Sequence, residues 1–172
     1  GRSPPGYTEY SARSGGTPRA GPTRAAMVAH QLHRLNAPMA GEYSGHHYFQ
    51  DGYLGFDDAI YATFRMLSIL AREKTYLSDY MADAPRYVSS GVTNIPISEG
   101  KKLTVIPALQ KTLATQYFVE VNGGLRVKVG SDWAVIHPSG TESLLRLVAW
   151  SKTPEQASQT RDSLLDEINK LI

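Results

Sequence analysis

The sequence predicts an α+β fold, on three observations. The last eighty or so residues hold short β-rich runs joined by turn signals, among them an Asn-Gly pair typical of a hairpin. Helical stripes with recognisable caps lie before and after those runs. Strands and helices do not alternate strictly, which argues against a wholly parallel βαβ sheet.

Residues 1–22 are rich in Gly, Pro, Ser and Arg and nearly free of aliphatics, so this tail is expected to be disordered or poorly packed. From Thr23, residues Met27, Val28, Gln31, Leu32 and Leu35 recur at helical spacing, predicting a helix that ends near Asn36, followed by a strand over 37–42. After the Gly-Tyr-Leu-Gly-Phe segment, Ile60, Phe64, Leu67 and Ala71 share one stripe, with Asp57 and Asp58 in the first turn. This helix should pack on the strands before it. Pro85 and Gly91 bracket an aperiodic connector, and a domain boundary is expected between Ala84 and Ser90.

Beyond the connector a strand is expected over 92–97, then a helix over 99–114 kinked or broken at Pro107. Strand runs follow over 117–121, 125–130, 132–138 and 142–151. The chain closes on a helix capped by Thr153, with Pro154 at its first position and Gln156 as capping-box partner. Ala157, Leu164, Ile168 and Leu171 form its expected buried stripe.

Composition narrows the function classes. A chain of 172 residues, 41% hydrophobic, suits one ordinary domain or two small ones. Its 18 basic and 16 acidic residues are spread along the sequence, so no dedicated nucleic-acid groove is indicated. The absence of cysteine removes disulfides, thiolate nucleophiles and cysteine zinc sites, and makes a cytoplasmic location the simpler expectation. No apolar run is long enough to cross a bilayer, so a soluble protein is expected. The 10 tyrosines carry no separate signal, since Tyr7 and Tyr10 lie in the tail and Tyr48, Tyr53 and Tyr61 suit core or surface equally.

Two polar constellations stand out. In Gly-Glu-Tyr-Ser-Gly-His-His, alternation places Glu42 and Ser44 on one side, suited to a ligand with vicinal hydroxyls, with His46 nearby as a candidate for proton transfer. A polar turn whose side chains satisfy loop backbone is the other reading. His46 and His47 make a poor metal pair, because adjacent side chains in an extended segment point apart. The pair Asp57 and Asp58 is better explained by the helix dipole than by a cation. The second constellation is His137 to Arg146. Ser139 and Thr141, backbone N–H groups around Gly140, and cationic Arg146 are the parts of an anion nest, or else a plain turn joining two strands.

Both motifs in this order, with the helix between them, resemble the C-terminal part of the α-D-phosphohexomutase superfamily, on its bacterial phosphomannomutase/phosphoglucomutase side. The resemblance covers Thr23 to Ile172. It implies that residues 23–87 are the end of the third domain, a partial α/β unit. Residues 88–172 would form a fourth domain like the TATA-box-binding protein, an antiparallel sheet with helices on one face.

The resemblance further implies that Glu42 and Ser44 hold hexose hydroxyls, with His46 beside them, and that Ser139, Gly140 and Thr141 grip the non-reacting phosphate with support from Arg146. A fixed anion site would let either end of the sugar meet the same nucleophile. The implied reaction moves a phosphoryl group between the 1- and 6-positions of a hexose, through a hexose 1,6-bisphosphate and with Mg²⁺.

Departures qualify this picture. His137 stands where the family usually has arginine, and Ser143 where it has a second proline. Phosphate capture should therefore weaken above neutral pH, where histidine is uncharged. Thr23, Arg24 and Ala25 replace a family Gly-His pair and basic residue, and the tail before them resembles nothing in the family. No segment supplies the phosphoserine and none the Mg²⁺ ligands, so no metal site is expected here and this chain alone should not catalyse transfer. Its partners would be a phosphorylated hexose and the missing N-terminal domains, with neither nucleic acid nor membrane. The alternative is a non-catalytic phosphosugar-binding or interaction module on the same scaffold. A third-domain piece without its early strands should expose apolar surface and tend to associate.

Overall fold

The structure, a computed structural model, describes residues 4–21, 24–121 and 123–172. The chain divides into two compact units, one spanning Tyr7–Pro85 and the other Arg86–Ile172 together with Pro4–Gly6.

Helix α1 (Pro5–Arg13) lies in the expected disordered tail, of which residues 1–3 and 22 lie outside the described residues. The helix goes against disorder over this stretch, while most of residues 7–20 is exposed, as the other expectation, poor packing, had it. Punctuation outweighed composition: Pro5 opens the helix with its φ already set, and Gly15, at φ +82°, supplies the left-handed turn that ends it.

The first unit continues with α2 (Ala25–Arg34), the hairpin β1 (Met39–Gly41) and β2 (His47–Phe49), α3 (Ala59–Glu73) and the short α4 (Leu77–Tyr80). The expected strand over 37–42 thus shrinks to three residues. A small core of Val28 and Leu32 from α2 and Tyr48 from β2 closes against Ala37 and Ala40.

Asp58 caps α3, its Oδ1 accepting the Tyr61 N–H at 2.9 Å. The stripe expected to be buried is not: Ile60 is 72% exposed, Phe64 65% and Leu67 55%. The helix packs instead through Tyr61, which stacks on Tyr53 at 3.9 Å and meets the Phe49 ring edge-on at 5.5 Å, while Arg65 lies over Phe49. Two short strands offer too little sheet to cover a second face of a fifteen-residue helix.

The second unit is built on an antiparallel sheet of β3 (Val88–Ser89), β4 (Thr93–Pro96), β5 (Phe118–Val121), β6 (Leu125–Val129), β7 (Asp132–Pro138) and β8 (Leu144–Ser151). The strand order is β3-β8-β7-β6-β5, with β4 also on β8. Asn122, half of the predicted hairpin signal, lies outside the described residues, but β5 and β6 pair antiparallel around it. Helices α5 (Glu99–Leu113) and α6 (Pro154–Asn169) cover one face. Val105, Leu109 and Leu113 of α5 and Leu164 and Ile168 of α6 share a cluster with Leu125, Val127, Ala134, Ile136, Leu145 and Leu147. This is the expected antiparallel sheet with helices on one face.

Helix α5 continues through Pro107 and does not break there. Pro107 and Leu103, whose carbonyl the ring deprives of its partner, are both exposed, while the buried stripe opposite anchors the helix to the sheet. On α6 the Thr153 cap forms, its Oγ1 accepting the Gln156 N–H at 3.3 Å. Leu171 lies past the helix end and is exposed, and Thr160 joins the buried stripe instead. Its hydroxyl donates to buried Asp132 at 2.9 Å, and Ser151 donates to the other carboxylate oxygen at 2.7 Å, so the acid joining β7, β8 and α6 is fully partnered.

Candidate functional site

In the first unit the polar segment forms the turn between β1 and β2. The Glu42 N–H donates to the His46 carbonyl at 2.9 Å and the Gly45 N–H to the Glu42 carbonyl at 3.0 Å. Gly45 sits at φ +90°, a conformation costly for any residue with a Cβ. The turn, rather than a strand end, brings Glu42 and Ser44 together, and Ser44 Oγ donates to Glu42 Oε2 at 3.4 Å. Glu42 Oε1 accepts the Arg24 N–H at 3.0 Å, which holds the carboxylate at the foot of α2.

The neighbouring histidines turn to different partners. His47 Nδ1 lies 2.8 Å from the Gly45 carbonyl. His46 Nδ1 lies 2.6 Å from Asp57 Oδ2, and since a carboxylate only accepts, the imidazole donates there. The His46 side chain is about half exposed. Asp57, which the sequence reading gave to the helix dipole, thus orients His46, and its Oδ1 also accepts the His47 N–H at 3.3 Å. Adjacent Asp58 plays the cap role alone; the Tyr53 hydroxyl, donating at 2.6 Å, and then the Tyr61 N–H hold its carboxyl below the usual carboxylate range.

In the second unit the segment from His137 to Arg146 is the turn linking β7 to β8, and register places His137 directly across from Arg146. The Ser139 N–H donates to the Leu144 carbonyl at 2.9 Å, closing the loop. Ser139 is buried, and its Oγ accepts from the Glu142 N–H at 3.2 Å and, at the limit of range, from the Thr141 N–H at 3.5 Å. Gly124, at the start of β6, lies so close that a Cβ would stand 2.5 Å from the Ile136 carbonyl and 3.3 Å from His137 Cδ2. No larger residue fits behind His137.

Three further residues shape this loop and escaped sequence reading. Glu142 Oε2 lies 2.5 Å from Arg146 Nη2. Lys102, from α5, donates to the Glu142 carbonyl at 2.9 Å, and Glu99 accepts from Ser143 Oγ at 2.6 Å. The Ser143 hydroxyl, with Lys102 behind it, holds the Glu99 carboxyl below its ordinary range. The Glu142–Arg146 spacing of four is a visible acid–base signal, whereas Lys102 and Glu99 reach the loop across some forty residues with no local cue.

Among the described residues no group of three or more His, Asp or Glu side chains could hold a metal ion. No helix among them is long and apolar enough to cross a membrane.

Comparison with known proteins fits this anatomy. Residues 3–87 match the family model of phosphoglucomutase/phosphomannomutase alpha/beta/alpha domain III, and residues 92–167 match that of the C-terminal domain. The first match takes in most of the N-terminal stretch that sequence reading left outside the resemblance.

The chain is 27% identical over 165 residues to a phosphomannomutase/phosphoglucomutase of Pseudomonas syringae pv. tomato, covering 95% of this chain and 36% of that protein. It is 28% identical over 148 residues to the Pseudomonas aeruginosa protein of the same name, covering 86% and 32%. A solved phosphoglucomutase/phosphomannomutase family protein from Burkholderia thailandensis superimposes with a TM-score of 0.81 at 25% identity, over 96% of this chain and 35% of that one. The chain thus spans about a third of the length of these relatives. With nearly all of it matched by the two adjoining family models, the chain belongs to the phosphoglucomutase/phosphomannomutase family and corresponds to the C-terminal part of its longer members.

Proposed function

We propose that this chain supplies two ligand-holding segments of a phosphohexomutase, a sugar-hydroxyl site at Glu42, Ser44 and His46 and an anion site at His137, Ser139, Gly140, Thr141 and Arg146. The observation that carries the reading is the β7–β8 turn. There a buried serine, a glycine, a threonine and an arginine converge on a loop whose backbone is pinned from outside by Lys102. Such a loop can seat a phosphate by hydrogen bonds and charge with its backbone held fixed, so a sugar phosphate presents either end to the reacting group.

In the first unit, Glu42 accepts hydrogen bonds from hydroxyls and Ser44 donates or accepts, while His46, oriented by Asp57, offers Nε2 for proton movement. These pairings suit a hexose and do not depend on which epimer is bound. The phosphoryl transfer belongs to the parent enzyme. The described residues do not fit Mg²⁺, so no step on this chain is routed through it.

The test is a titration of the purified chain with glucose 1-phosphate and mannose 6-phosphate, followed by NMR at the backbone amides of residues 42–46 and 139–142. Saturable shifts in both segments support the reading. Shifts in neither, with the second unit folded, refute sugar-phosphate binding by this chain.

A further inference from the structure

Resting on the anion-site reading, one feature of the β7–β8 loop goes beyond it: the group closest to Arg146 is itself an anion. Glu142 Oε2 lies 2.5 Å from Arg146 Nη2 and accepts, at 3.5 Å, from Ser139 Oγ. The carboxylate thus occupies a cation and a hydroxyl that a bound phosphate would use. The main chain beneath it is fixed, with Lys102 Nζ on the Glu142 carbonyl at 2.9 Å and the Ile97 N–H on the Ser143 carbonyl at 3.0 Å. Only the side chain, about half exposed, is free to swing.

We propose that the Glu142 carboxylate is a built-in stand-in for the ligand's phosphate, which holds the loop's donors in place when empty and must be displaced on binding. A tethered anion lowers affinity in two ways: it competes for Arg146, and its charge repels the incoming phosphate. It also keeps Arg146 aimed into the loop, so the site is preformed yet weak.

The prediction runs opposite to ordinary damage, because removing a loop residue should tighten binding. Wild type, Glu142→Gln and Glu142→Ala are titrated with inorganic phosphate at one pH and ionic strength, following backbone amides of residues 139–143. Both variants should bind more tightly, by roughly three- to tenfold, the size expected from freeing a partly exposed ion pair and relieving a like charge. Glu142→Ala removes the amide that Gln adds, so tightening in both identifies lost charge as the cause. Binding by a variant where wild type shows none supports the proposal equally. Wild type binding as tightly as or more tightly than both variants overturns the proposal but leaves the anion site standing. No saturable shift in any of the three overturns both.

Discussion

The two units differ in how their apolar residues are used. In the second, fourteen buried residues, drawn from four strands, two helices and Ile97 just past β4, form one cluster among the described residues, and alternation along β6, β7 and β8 feeds it continuously. In the first, α2 and β2 bury Val28, Leu32 and Tyr48, while α3 and α4 expose Ile60, Phe64, Leu67, Leu77 and Tyr80. Hydrophobicity alone does not separate them, since α3 is as apolar as any core helix of this chain. What differs is the partner: a broad antiparallel sheet offers a full face, and a two-stranded hairpin does not.

The largest expected effect tests the better-built side. Leu147 is fully buried at the centre of β8, paired with Ile136 on one side and Thr93 on the other. Leu147→Ala should destabilise the second unit by about 2–5 kcal/mol, from lost transfer energy and the cavity left behind. Denaturant unfolding followed by tryptophan fluorescence reads this unit alone, because both Trp133 and Trp150 belong to it. A loss under about 1 kcal/mol would mean the sheet tolerates a hole and its core is looser than drawn.

A smaller effect, in association rather than folding, tests the other side. Ile60 and Phe64 lie one turn apart on an exposed face, so Ile60→Lys with Phe64→Lys should leave unfolding within about 0.5 kcal/mol. The same pair should abolish any concentration-dependent self-association of the wild type in sedimentation velocity. Strong destabilisation would show that the stripe is covered in solution, and the contrast between the units would narrow.

How far the sequence could be read follows the same divide. In the second unit most local rules agreed with the sheet: the Thr153 cap, alternation in β7 and β8, and the stripe Ala157, Leu164 and Ile168, though not its last member Leu171. The α3 stripe was equally regular, but periodicity reports a face and not its partner, so burial could not be inferred from it. Pro107 does not end α5, because a ring that breaks a bond at a solvent-facing carbonyl costs less than one in a packed turn. Glu42 with Ser44, and Ser139 with Arg146, could be singled out as candidates because each motif is contiguous, and the structure shows each pair on one turn. Asp57 was visible but assigned to the dipole, since nothing local shows that the chain folds back on His46. Lys102 and Glu99 depend on docking of a distant helix, and Asp132 on a side-chain network assembled from three elements.

The smallest predicted effect has the opposite sign from the first. Tyr48 is 1% exposed in the small core of the first unit, and its hydroxyl has no hydrogen-bond partner among the described residues. A buried unpaired hydroxyl costs desolvation without return, so Tyr48→Phe should be neutral or stabilise this unit by up to about 1 kcal/mol. Tyrosine amide exchange and thermal unfolding by circular dichroism would read the change. The same substitution in a full-length relative sharpens the comparison, because its longer chain has more polar backbone to offer that oxygen. A loss of stability there, beside a gain here, would place a partner for Tyr48 in the part of the longer relative outside the matched region. Equal gains in both would make the orphan hydroxyl a property of the β1–β2 hairpin itself.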